Sequence, residues 1–186
     1  MPLFRRHKTP EVLGGILYEA LRKGIATEGD LSARRFLKSI ELDRELLSEQ
    51  LHGEIVVGLM FAGLLAVERS ASPRVATRIF AGMKGEFQTH LHEQGASQIQ
   101  CAEWEAVSAA RFLEYRKTLE EYTGFEPPWK LGRQFYWNIV GESDFTAMNI
   151  KIATLYLLAG RDVCQNLLNI HGPTLLPEPQ RAGRTI

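Results

Sequence analysis

The sequence predicts an all-α fold, a single-domain bundle of about six or seven helices arranged around one central apolar helix. Apolar residues recur every three or four positions in each long segment of the chain, which is the period of an amphipathic helix. No run alternates polar and apolar residues with the period of two that a half-buried strand requires. The run Ile55–Val67 carries no charge and is bracketed by Glu54 and Glu68. A helix that is apolar on every side must be surrounded, which makes this segment the central helix.

The first part of the chain carries two helical segments with recognisable start signals. Thr9 followed by Pro10 is typical of a helix N-terminus, and an apolar face follows it. Asp30 is a capping residue for a second segment, whose helical pattern continues as far as Ser70. One helix over residues 30–70 would be unusually long for a globular protein. We therefore expect a break around Ser39–Asp43, where side chains that bond to the local backbone compete with the helical hydrogen bonds.

The rest of the chain is predicted to form four more helices, each opened by a capping residue or proline and closed by glycine. Their predicted starts are Ser72-Pro73, the capping box Ser97 to Gln100, Pro127-Pro128, and Ser143 or Asp144, and their predicted ends are Gly95, Gly124, Gly141 and Gly172. The pattern fits one domain over residues 1–172, with residues 1–8 flexible. Residues 173–186 are rich in proline and have no periodicity, so we expect an extended C-terminal tail.

Composition narrows the classes of function. Lys plus Arg and Asp plus Glu both number 22, so the chain lacks the basic excess typical of nucleic-acid binding, and we expect no nucleic-acid partner. The run Ile55–Val67 is shorter than the roughly 20 residues that cross a bilayer, so we expect no transmembrane segment. The two cysteines, Cys101 and Cys164, lie within helical patterns and are interpreted as buried residues of a reduced protein. A cytoplasmic location follows from that interpretation.

Two pairs of residues offer a metal-binding alternative. Glu49 and His52 form an E-x-x-H pattern on a predicted helix, a spacing that places both side chains on one face in di-iron bundle proteins. Glu86 and His90 stand four residues apart on the next helix, so a mixed site is sterically conceivable. A ferritin-like site needs a second E-x-x-H motif, which the sequence lacks. We therefore predict no metal and no cofactor, with these four residues as the alternative ligands.

Aromatic and small residues suggest an interface. Trp129, Tyr136 and Trp137 belong to a dense aromatic helix whose rings cannot all face one core. Gly58 and Ala62 belong to a stripe of small residues along which a second helix could approach closely. We predict a homodimer in which these five residues form the interface.

The absence of a catalytic constellation in the sequence favours a non-enzymatic helical interaction or adaptor protein, with a protein partner. The alternative function is a small-molecule- or metal-binding helical protein, for which enzymatic activity stays open. Its pocket would lie between the helices that carry Glu49 and His52 on one side and Glu86 and His90 on the other.

Overall fold

The computed structural model describes residues 8–42, 49–121, 127–141 and 146–172, and every regular element within these ranges is an α-helix. The seven helices of the described ranges confirm the predicted all-α bundle. They are α1 Pro10–Ala26, α2 Ala33–Ser39, α3 Glu49–Ser70, α4 Pro73–Glu93, α5 Gln98–Glu120, α6 Pro127–Val140 and α7 Ala147–His171. The segment predicted to be flexible, apart from Lys8, and the predicted tail at 173–186 lie outside the described residues.

Helix α3 is the centre of the core, as its uncharged sequence predicts. Every residue from Gly53 to Leu64 is buried, covered by α7, α1, α4, α5 and α6. By length and composition alone this helix could cross a membrane, but 78% of its most apolar 18-residue window is buried inside the protein. Such burial is typical of a core helix, since the neighbouring helices cover the apolar surface that lipid would otherwise cover.

Two predicted helix starts are confirmed by the side chains that cap them. The Thr9 hydroxyl accepts a hydrogen bond from the amide of Val12, and Ser97 and Gln100 form the reciprocal capping box. The expected break is also confirmed, because α2 ends at Ser39 and the chain passes through a left-handed residue, Glu41, with φ of 61°.

Two predicted caps are wrong. The N-cap of α2 is Ser32 rather than Asp30, because burial of Leu31 and Ala33 sets where the helix enters the core. The N-cap of α7 is Thr146, whose hydroxyl accepts from the amide of Asn149. The residues proposed for that role, Ser143 and Asp144, lie outside the described ranges.

The close crossing of α1 and α4 positions the candidate site. An ideal Cβ on Gly14 would lie 1.9 Å from the carbonyl oxygen of Ile79, and one on Gly82 would lie 2.0 Å from that of Glu11. Only glycine permits this separation between the two backbones. Arg78 reinforces the crossing with two hydrogen bonds to the Glu11 carboxylate, 2.7 and 3.1 Å long. One turn beyond the crossing, the two helices form two walls of a cleft.

Candidate functional site

A cleft of about 650 Å³ lies between the middle of α1, the start of α3, the end of α4 and the start of α5. This volume is within the range of sites that bind small molecules. Its wall is mixed, with polar side chains facing aromatic and aliphatic ones. The lining residues are Tyr18, Arg22, Glu49, His52, Gly53, Val56, Phe87, His90, Leu91, Gln94, Gly95, Ala96, Gln100 and Trp104.

The structure brings together three of the four residues in the metal-binding alternative. Glu49, His52 and His90 line the cleft, while Glu86 does not and instead lies beside Gly15 of α1. Among the described residues, no group of three or more histidine, cysteine or acidic side chains is arranged to hold a metal ion. The two helix faces therefore converge on a cleft. The arrangement of the described side chains does not support a metal centre there.

Tyr18 is the most unusual residue of the cleft wall. Its side chain is 1% exposed, and within the described part of the chain its hydroxyl has no hydrogen-bond partner. Its ring packs against Phe87 and His90, with centroid distances of 5.9 and 6.3 Å. Burial raises the pKa of Tyr18, so the hydroxyl keeps its proton at neutral pH. A buried hydroxyl without a partner costs about 1–3 kcal/mol, and such a group needs an explanation.

His52 supplies a neutral imidazole to the same cleft. Burial and, to a smaller extent, the nearby His90 lower the pKa of His52 below 6.5. The ring is therefore mainly uncharged at pH 7, when one nitrogen donates and the other accepts a hydrogen bond. The His90 ring lies on the opposite helix, where its Nδ1 is 3.9 Å from Glu93 Oε2.

The charges of the cleft are largely compensated. Arg22 donates two hydrogen bonds to Glu19, 2.7 and 2.8 Å long, which hold the guanidinium against its own helix. Glu49 lies at the exposed start of α3 on the other side. With one arginine already paired and one glutamate at the rim, the described lining of the cleft offers no unpaired arginine or lysine that would select an anion.

Trp104 closes the cleft from α5. Its indole packs on the backbone of Gly53, where an ideal Cβ would lie 1.7 Å from the ring atom Cη2. A second contact fixes the same helix, since Arg111 donates to both carboxylate oxygens of Glu54 at 2.7 to 3.0 Å. Glu54 is only 3% exposed, whereas the Arg111 side chain is 30% exposed, so only the carboxylate end of this ion pair is shielded from water.

The described lining of the cleft offers aromatic side chains and hydrogen-bonding groups. No serine, threonine or cysteine lies in it, and both cysteines are buried, as predicted. Burial raises the pKa of the Cys164 thiol to about 12, so this side chain stays protonated in the core. Cys101 is near the start of α5, with its Sγ 3.7 Å from Nδ1 of His92.

Most of the five residues predicted to form an interface are buried inside the protein. Gly58 receives the ring of Phe135, since an ideal Cβ there would lie 2.3 Å from the ring atom Cε2. Ala62 and Tyr136 are 2% and 3% exposed, and the Tyr136 hydroxyl accepts a hydrogen bond from Asn149. The small-residue stripe of α3 thus serves a helix crossing within the chain.

Trp129 and Trp137 are half-buried, and Arg133 stacks over the Trp137 ring at 4.7 Å. The interface role of these five residues stays a prediction that their positions do not favour. Of the residues that line the cleft, His52 and His90 are among those predicted from the sequence, whereas Tyr18, Arg22 and Trp104 are not. These three residues come together because of the way the helices cross, and no local sequence pattern predicts that crossing.

Comparison with protein-family models, with curated proteins and with solved structures finds no match to this chain. The candidate function therefore depends on the chemistry of the cleft.

Proposed function

We propose that this protein binds a small, uncharged molecule that has both a flat apolar part and hydrogen-bonding groups, in the cleft between α1, α3, α4 and α5. The observation that carries the proposal is Tyr18, which lines this cleft and whose buried hydroxyl has no partner among the described residues. A ligand acceptor that reached this hydroxyl would supply the missing hydrogen bond. Binding would then relieve the cost that the unpaired hydroxyl imposes on the free protein, and this relief would add to the binding free energy.

The other lining residues support the same class of ligand. Phe87 and Trp104 offer aromatic faces to a flat ring, and neutral His52 offers a donor and an acceptor. Because Arg22 is already paired with Glu19, an anionic group gains little from it. This proposal takes up the alternative function suggested by the sequence and gives it a neutral ligand in place of a metal.

The experiment is a thermal-shift screen of uncharged heteroaromatic fragments, with fragments carrying a carboxylate or a phosphate as comparison sets. Hits are confirmed by calorimetry on wild type, Tyr18→Phe and the cleft-blocking variant Ala96→Phe. Loss of one hydrogen bond should weaken binding about tenfold in Tyr18→Phe, and Ala96→Phe should abolish it. Tyr156→Phe is the matched control, because this buried tyrosine bonds to the carbonyl of Leu31 and lies outside the cleft lining.

Two results would contradict the proposal. The first is that no neutral fragment stabilises the wild-type protein while anionic ones do. The second is that hits bind equally well to wild type and to Ala96→Phe, which would place them elsewhere on the protein. The cytoplasmic location and the interaction role stay predictions, and they are independent of this test.

A further inference from the structure

Among the described residues, none covers the outward face of helix α5. Its inward side contacts the bundle through Cys101, Trp104 and Tyr115, and only the first and last of these are fully buried. Ile99 and Leu113 are each 73% exposed on the opposite side. At 100° per residue, these two residues lie on one stripe with four exposed alanines. The alanines of this outward stripe are Ala102, Ala106, Ala109 and Ala110.

The outward stripe has the shape needed for a close helix crossing. The alanines allow two backbones to approach, and Leu113 can pack over alanines of a facing helix. Exposed aliphatic side chains at this spacing are a typical signature of a helix that binds another helix.

The charges beside the stripe identify which helix fits. Glu103 lies beside it and Lys117 lies one turn past Leu113, both are exposed, and Ala110 is their midpoint. If two copies of α5 cross antiparallel at Ala110, Glu103 of each copy lies opposite Lys117 of the other. A parallel arrangement would instead place like charges opposite each other. These charges are thus complementary to themselves under a two-fold axis at Ala110, which also places Leu113 of each copy opposite the segment between Ala106 and Ala109 of the other. Lys117 Nζ already lies 3.6 Å from Glu121 Oε1, but this pair is solvent-exposed and weak.

We propose that two copies of this chain form an antiparallel homodimer through the outward stripe of α5, with the two-fold axis at Ala110. Leu113 of one copy packs against Ala109 and Ala106 of the other, and two symmetric Glu103–Lys117 pairs set the register. This places the predicted homodimer on α5, a helix that was not part of the predicted interface. The ligand cleft opens on the other side of α5, through Gln100 and Trp104, so dimerisation and ligand binding are separate properties.

Sedimentation equilibrium of the full chain from low to high micromolar concentration tests this. We expect wild type to dimerise and Leu113→Glu to weaken the dimer at least about tenfold, because each copy would bury a charge one turn from the two-fold axis. Leu155→Glu is the matched control. That leucine is 55% exposed on α7, so its substitution should leave the dimer intact. Circular dichroism and thermal unfolding confirm that each variant folds.

A charge-reversal cycle tests the register. Glu103→Lys and Lys117→Glu should each weaken the dimer, since each places two like charges opposite one another, and the double variant should restore it. A wild-type monomer at all concentrations would overturn the proposal, as would a dimer that survives Leu113→Glu. A double variant no stronger than the single ones would overturn the antiparallel crossing at Ala110.

Discussion

At the scale of single residues, the most telling contrast is between buried tyrosines. The Tyr156 hydroxyl donates to the carbonyl of Leu31 at 2.7 Å, and the Tyr115 hydroxyl accepts from Asn138 at 3.2 Å. Tyr18 is buried to the same degree, yet its hydroxyl has no partner among the described residues. Buried hydroxyls are normally bonded because the fold must otherwise bear the cost of removing them from water. The Tyr18 hydroxyl therefore bears a desolvation cost that no hydrogen bond from the described residues offsets.

This contrast gives opposite predictions for two identical substitutions, measured in the absence of ligand. Tyr156→Phe should lower the free energy of unfolding by about 1–2 kcal/mol, because it leaves the Leu31 carbonyl without its donor. Tyr18→Phe should leave stability unchanged or raise it, because it removes a buried group that makes no bond. Urea denaturation of both variants measures the difference. A loss in Tyr18→Phe as large as that in Tyr156→Phe would show that the hydroxyl is bonded in the free protein.

At the scale of the elements, the site depends on glycines that allow α1 and α4 to touch. Gly14 and Gly82 meet the backbone of the opposite helix, whereas Gly85, one turn further along α4, has nothing within 4 Å of its ideal Cβ. Tyr18 lies one turn after Gly14, and its ring reaches Phe87 because the two helices are this close. The crossing is therefore a condition for the cleft as well as for the core.

The two glycines of α4 make a matched pair. Gly82→Ala should cost roughly 1–3 kcal/mol of unfolding free energy, because the new methyl group forces the helices apart. Gly85→Ala should instead stabilise the protein by about 0.5–1 kcal/mol, since alanine has the higher helix propensity and open space surrounds it. Urea denaturation with an unchanged m-value is the measurement. Equal effects at the two positions would mean that α1 and α4 are not in backbone contact.

The sequence predicts the helices better than the site because helices depend on contacts between residues close in sequence, whereas the site depends on contacts between residues far apart in sequence. Thr9 and Ser97 are correct caps because a cap is a hydrogen bond within one turn of the chain. Ser32 replaces the predicted Asp30 because core packing sets the start of α2. The burial of Gly58 under Phe135 joins residues of α3 and α6 that are far apart in sequence, and no local period encodes that contact.

At the scale of the whole molecule, the described helices share one core but differ in how much of themselves they bury. Helix α3 is covered almost all round, and α7 buries eight of its residues. Helix α5 is nearly as long as α7, yet only Cys101 and Tyr115 are fully buried. The ion pair between Arg111 and Glu54 and the contact of Trp104 with Gly53 hold it in place. The cleft and the outward stripe both lie on this loosely attached helix.

Amide hydrogen exchange should therefore reveal a graded stability. Opening of α5 exposes few buried side chains and should require much less free energy than global unfolding, whereas exchange in α3 requires loss of the core. We expect the amides of α5 to exchange faster than those of α3 when wild type is measured at the lowest workable protein concentration. Raising the concentration should slow exchange in α5 selectively, as its outward stripe becomes covered in the dimer. Leu113→Glu is the control, and its α5 exchange should not depend on concentration. Exchange in α5 as slow as in α3 at low concentration would show that this helix unfolds only with the whole molecule.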